Sequence, residues 1–144
     1  KCVEQFSATG VAADQIHKVP CDIFSPCGLG GVLSQPVISE LQCRAVAGAA
    51  NNQLSTQECG QLLSQKGILY APDYLINAGG LMAVVASYKD WSSKKLDGYL
   101  EGIHNTLIEI FNKEQETRIP SSVIADDMAE AILFGRSSST LSVY

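Results

Sequence analysis

The chain has 144 residues, of which 46% are hydrophobic and 17% charged, a size and composition that support one folded domain with its own core and argue against a disordered segment. A net charge of −5 argues against nucleic acid or an anionic membrane as the main partner, because both select for basic clusters. There is no apolar run of about 18 residues that could span a bilayer, and the opening "KCVEQFSATG" lacks the apolar centre of a signal segment.

Taken in order, residues 1 to about 10 read as the end of a helix, with Val3 and Phe6 on one face and Gly10 as its stop. Asp22-Ile23-Phe24 reads as a short strand ending at Ser25-Pro26-Cys27, followed by the glycine-rich turn Gly28 to Gly31 and a short helix over Pro36 to Leu41. Ala45-Val46-Ala47 is a second strand, closed by the turn-prone pair Asn51-Asn52. Ser55 and Glu58 have capping-box spacing, with Leu62 and Leu63 inward and Gly67 as the helix stop. Ile68 to Ala71 is a third strand. Short strands alternating with helices predict parallel pairing through right-handed crossovers.

From Asn77 onward the pattern turns helical. Leu96, Leu100, Ile103, Leu107 and Phe111 recur at spacings of three and four, predicting an amphipathic helix. Pro120-Ser121-Ser122 opens a last helix through about Phe134, with Gly135 ending it, and "RSSSTLSVY" is expected to be a flexible tail. Three strands are few for a doubly wound sheet, and the first helix begins abruptly, so further sequence upstream is expected.

The five cysteines, Cys2, Cys21, Cys27, Cys43 and Cys59, are odd in number and include no CxxC pair. With His17 and His104 far apart, a metal site is not expected, and the cysteines read as reduced thiols in a cytoplasmic protein, serving as small buried hydrophobes.

Three stretches at strand ends carry the chemistry: "FSPCGLGG", "AVAGAANNQL" and "YAPDYLINAGG". Ligands of open parallel sheets bind outside the carboxyl ends of the strands. Small residues there let a flat ligand approach the backbone, and asparagine offers both donors and an acceptor. Each stretch also has a plain reading: a tight turn at Gly28 to Gly31, a turn at Asn51-Asn52, a helix cap at Asn77, a strand break at Pro72-Asp73. Their succession at three strand ends favours a binding site.

In sequence and order, "CDIFSPCGLGGVL", "AVAGAANNQL" and "GILYAPDYLINAGGLM" resemble the cofactor-domain motifs of the leucine, phenylalanine, valine and glutamate dehydrogenase family, closest to its leucine dehydrogenase branch. The resemblance runs to about Phe134. It implies an α/β fold, part of a Rossmann-type doubly wound parallel sheet followed by C-terminal helices. Residues 1–76 would be the C-terminal half of the NAD-binding domain, and residues 77–135 helices that close it and reach toward a substrate domain lying upstream.

The implied activity is NAD-dependent oxidative deamination of an L-amino acid to its 2-oxo acid and ammonium, by a homo-oligomer. Carried over by motif, Cys27, Gly28 and Leu29 line the cofactor near its ribose and nicotinamide. Asn51 lies between nicotinamide and substrate carboxylate, Asn77 holds the nicotinamide carboxamide, and Leu81 and Val84 form part of the substrate side-chain pocket. The family more often has alanine where this chain has Gly28. Its catalytic lysines and glycine-rich fingerprint belong to upstream sequence, so no catalytic residue is assigned here. The competing reading is a dinucleotide-binding or assembly module without chemistry of its own. A structural α/β domain whose asparagines only cap and turn is the third.

Overall fold

In the computed structural model, residues 1–135 are described, and the predicted tail 136–144 lies outside them. The centre is a parallel sheet in the order β1 (Ile23–Phe24), β2 (Ala45–Val46), β3 (Leu69–Tyr70). Ile23 pairs with Ala45 and Ala45 with Leu69; Phe24 pairs with Val46 and Val46 with Tyr70. The crossovers are the helices α2 (Gln35–Glu40) and α3 (Glu58–Gln65), so the predicted α/β alternation holds. An isolated parallel bridge between Leu33 and Leu54 ties the two crossover segments together in front of the helices.

The sheet buries one side chain per strand, Phe24, Val46 and Tyr70, against Leu33, Ile38, Leu41, Leu63 and Ile68. The alternate residues Ile23 and Leu69 are exposed, as the two-residue period of a strand requires when only one face is covered. Leu63 is fully buried, and truncating a residue like it costs about 2–5 kcal/mol. Gly67, at φ 70°, turns the chain from α3 into β3, in a conformation glycine takes without steric cost. Lys66, just before it, donates from Nζ to the carbonyls of Ile38, Ser39 and Leu41 at 2.8, 2.9 and 3.2 Å. A cation thus caps the carbonyls at the end of α2, where the dipole favours positive charge.

After β3 come α4 (Asp73–Ile76), α5 (Gly79–Tyr88), α6 (Ser93–Thr117) and α7 (Ser121–Phe134). Ile110, Ile124 and Ala125 form a second core with Leu75, Phe111, Ile119 and Met128. The start of α7 docks on the sheet: Ser121 Oγ donates to the Tyr70 carbonyl at 2.7 Å. Gly135 ends α7 at φ 63°, where the sequence placed its stop. Among the described residues no helix is long and apolar enough to cross a membrane.

Several expectations are corrected. The first helix, α1 (Cys2–Phe6), ends at Ser7 in the left-handed region rather than at Gly10, and Val3 and Phe6 are both exposed. Ser55 does not cap α3. Its N–H is committed to the Leu33 carbonyl at 3.1 Å, so the chain there continues the bridge to residue 33 and the helix starts three residues later, with Ser55 Oγ beside Cys59 Sγ at 3.3 Å.

On α6 the deepest side chains are Ile110 and Glu114, while Leu100, within the predicted stripe, is exposed. The other four residues of the predicted stripe, Leu96, Ile103, Leu107 and Phe111, are half-buried, and α4, α5 and α7 all pack against α6. Of the four cysteines whose surroundings are described, only Cys59 is buried; Cys43 is half-buried and Cys21 and Cys27 are exposed. Both exposed ones lie outside the two-residue strand whose inward residue makes the core.

Candidate functional site

The loops that follow the three strands meet at the carboxyl end of the sheet. Ala50 N donates to the Pro26 carbonyl at 2.9 Å, and Gly31 N and Leu33 N donate to Asn52 and Gln53 carbonyls at 2.7 and 2.9 Å. These bonds join the loop after β1 to the loop after β2. Gly48 allows the approach: a Cβ there would collide with the backbone of Pro26.

Gln53 and Asp73 join the loop after β2 to the end of β3. Gln53 is fully buried. Its Nε2 donates to the carbonyls of Gly48 and Ala50 at 2.8 and 2.9 Å, holding the loop closed. Its backbone N–H donates to Asp73 Oδ2 at 2.7 Å, and Asp73 Oδ1 accepts from Tyr74 N at 2.7 Å. One carboxylate thus clamps the loop after β2 and starts the helix after β3. Gln53 Oε1 is buried and has no partner among the described residues. Neither Gln53 nor Asp73 stands out in the sequence as a site residue, Asp73 reading only as part of a strand break. The signal available was an aspartate at a helix start directly after a strand and a proline.

On this frame Asn77 Nδ2 donates to Asn51 Oδ1 at 2.6 Å and to the Ala49 carbonyl at 3.4 Å. Asn77 therefore does not cap α5, which has no side-chain cap. Cys27 joins the same cluster from the other side. Its thiol is held below the usual cysteine range, chiefly by the Ser25 hydroxyl at 3.5 Å and then by the Ala49 backbone. Cys27, Asn51 and Asn77, from three different loops, thus converge around Ala49. Gly28 has open space around it, and Leu29 projects into solvent at 91% exposure. Leu81 and Val84, one turn apart on α5, are 68% and 66% exposed, so they are not packed away against α6.

The donor set fits a nicotinamide. With Asn77 Nδ2 given to Asn51, Asn77 Oδ1 is left to accept from a carboxamide NH2, and Asn51 Nδ2 is left to donate to a carboxylate. A separate concavity of about 530 Å³, lined by residues that include Asn52, Tyr70, Tyr74, Ser122 and Asp126, contains none of the seven residues singled out from the sequence. Tyr74 OH donates to Asp126 Oδ1 there at 2.7 Å. Burial, followed by that bond, raises the Tyr74 phenol well above its usual range, and burial chiefly does the same for Tyr70.

Residues 2–129 match the sequence profile of the Glutamate/Leucine/Phenylalanine/Valine dehydrogenase family. The chain is 42% identical over 130 residues to a leucine dehydrogenase of Thermoactinomyces intermedius, covering 90% of this chain and 36% of that one. It is likewise 42% identical over 126 residues to an L-tryptophan dehydrogenase of Nostoc punctiforme, covering 87% and 36%. A crystal structure of L-tryptophan dehydrogenase from Nostoc punctiforme superposes with a TM-score of 0.86 at 38% identity, over 93% of this chain and 41% of that one. A hetero-hexameric glutamate dehydrogenase from Thermus thermophilus shares the fold at 20% identity and a TM-score of 0.61, over 83% and 31%. The chain spans little more than a third of the curated relatives' length. Parallel strands in this order, the three strand-end motifs and these matches together establish that the chain belongs to the Glutamate/Leucine/Phenylalanine/Valine dehydrogenase family.

Proposed function

We propose that this chain is the cofactor-side part of an NAD-dependent L-amino-acid dehydrogenase, acting on a branched-chain or other apolar L-amino acid in a cytoplasmic homo-oligomer. The observation that carries the proposal is the Asn77–Asn51 bond at 2.6 Å, which presents an unused acceptor and an unused donor side by side. When bound, NAD supplies the hydride acceptor. Asn77 then holds the nicotinamide carboxamide and selects the ring face turned to the substrate. Asn51 donates to the substrate carboxylate and orients its α-carbon. Cys27, Gly28 and Leu29 border the cofactor on the β1 side, and open space at Gly28 leaves room for close approach.

Leu81 and Val84 offer the substrate side chain an apolar surface. A glutamate side chain buried there would carry an unpaired carboxylate at a cost of several kcal/mol, far more than a methylene mismatch. Branched aliphatic substrates are therefore placed first, leucine and valine ahead of others. An aromatic substrate is the second reading, favoured by the equal identity to the L-tryptophan dehydrogenase relative. No catalytic residue is assigned within these 144 residues, and the chain by itself is expected to show no turnover. The test is amino-acid-dependent NAD reduction by the whole protein across a substrate panel. Glutamate surpassing leucine in kcat/KM would overturn the pocket assignment, and turnover by the isolated chain would overturn its role as one part of the enzyme.

A further inference from the structure

Cys21 and Cys43 occupy equivalent places at the amino ends of β1 and β2. Ile23 is paired with Ala45, so the same register two residues back sets Cys21 opposite Cys43. Contacts between the strands show that the register persists there. Cys21 N donates to the carbonyl of Gln42 at 3.0 Å, and the Asp22 carbonyl accepts from Ala45 N at 3.1 Å, both the bonds that a parallel ladder of this register makes. The intervening pair, Asp22 and Arg44, has its charged groups 3.7 Å apart. Adjacent strands lie about 5 Å apart, within the Cα separation of roughly 4.4–6.8 Å that a disulfide spans.

From this juxtaposition we propose that Cys21 and Cys43 form a reversible redox pair, a dithiol that low-molecular-weight disulfides of the glutathione type convert to an intrachain disulfide. Cys21 is exposed and takes the first step. Its thiolate attacks one sulfur of glutathione disulfide, the S–S bond of the reagent breaks, and one glutathione leaves as thiolate while a mixed disulfide forms on Cys21. The Cys43 thiolate then attacks the Cys21 sulfur and expels the second glutathione. Two protein thiols lose two protons and two electrons, and one glutathione disulfide becomes two glutathione molecules.

The environment divides the two roles. Cys43 is half-buried, and burial, helped by the neighbouring Cys21, pushes its thiol up. It is therefore a poor first target for solution reagents and a suitable resolving thiol for a sulfur delivered beside it. The Lys66 ammonium favours its thiolate and opposes that shift. The pair sits at the opposite end of the strands from Asn51 and Asn77, so its chemistry is separate from the proposed cofactor site.

The test is oxidation of the native protein with glutathione disulfide, followed by thiol blocking and digestion with enzymes that cut after Phe24, Glu40 and Arg44. These cuts place Cys21, Cys27 and Cys43 on separate peptides. The expected result is the Cys21 peptide joined to the Cys43 peptide, with the loss of two free thiols. In Cys43→Ser the cross-link should vanish and glutathione should remain on Cys21; in Cys27→Ser the cross-link should persist. In urea, where the register is gone, the specific pairing should give way to a mixture. Glutathione persisting on Cys21 of the native protein beside an unmodified Cys43, or Cys21 joined to Cys27, would overturn the proposal.

Discussion

Asn77 Nδ2 donates to Asn51 Oδ1 at 2.6 Å, although 26 residues separate the two. The bond fixes which end of each amide faces outward, so the two asparagines act as one unit. On the proposed reading, Asn77→Ala in the whole protein should cost about 1–3 kcal/mol in kcat/KM, because it would leave the cofactor amide unpaired and Asn51 unoriented. Asn77→Asp should behave differently. A carboxylate there can only accept, so Asn51 must turn its NH2 inward and its oxygen toward the substrate carboxylate. The KM for the amino acid should then rise more than in Asn77→Ala, while Asn51→Ala and Asn77→Ala should be non-additive in a double-mutant cycle. Unchanged KM for both ligands in Asn77→Ala would remove Asn77 from the site.

Two glycines in neighbouring loops should respond oppositely to the same substitution. Gly28 has no atom within contact range of an added Cβ, so Gly28→Ala should fold normally and gain about 0.4–1 kcal/mol by restricting the unfolded chain. At Gly48 an added Cβ meets the Pro26 backbone. Gly48→Ala should cost about 2–3 kcal/mol as the two loops are forced apart. Urea unfolding of both variants decides it, and similar midpoints for the two would show that the Gly48–Pro26 approach is not what holds these loops together.

Lys66 closes the end of α2 through three carbonyls. Lys66→Met keeps the aliphatic stem but abandons those acceptors, and should lower stability by about 1–2 kcal/mol. Lys18, whose Nζ lies 3.1 Å from Glu40 Oε1 on the surface, supplies the comparison. Lys18→Met should change stability by well under about 1 kcal/mol, as exposed ion pairs do. Equal effects of the two would show that the capping geometry contributes nothing special.

Tyr70 and Tyr74 make the fold sensitive to alkali. Both phenols are raised in the folded chain, Tyr74 by burial and then by its bond to Asp126. Below the unfolded phenol value of about 10, their contribution is complete. As pH rises beyond it, the unfolded chain releases protons that the folded chain retains, so stability falls. The thermal midpoint should therefore decline from about pH 10 upward, and Tyr74→Phe should flatten that decline. An identical alkaline slope in the variant would exclude Tyr74 as a contributor.

The amino-acid sequence by itself determined the alternation of β1, α2, β2, α3 and β3, the stops at Gly67 and Gly135, and the three strand-end motifs, while the short helix α4 read only as a strand break. These follow from local physics: hydrophobic period, turn chemistry and backbone permissiveness act over a few residues and are written in neighbouring letters. Through the family resemblance it also pointed to Cys27, Asn51 and Asn77 as candidates for one cofactor site. What only the tertiary structure decided is how they meet. Asn77 has the ordinary look of a helix cap, and nothing within ten residues of it reveals the Asn51 side-chain oxygen it bonds. Gln53 and Asp73, which hold the loops in place, were invisible for the same reason: their partners lie on other loops. Ser55 failed as a cap because residue 33 claimed its backbone, and the buried face of α6 extends beyond the predicted stripe to Ile110 and Glu114 because three different helices pack on it. Cysteine burial was misread because Cys21 and Cys27 flank β1 rather than lie in it, and which flanking residues are covered is settled only when the sheet has paired.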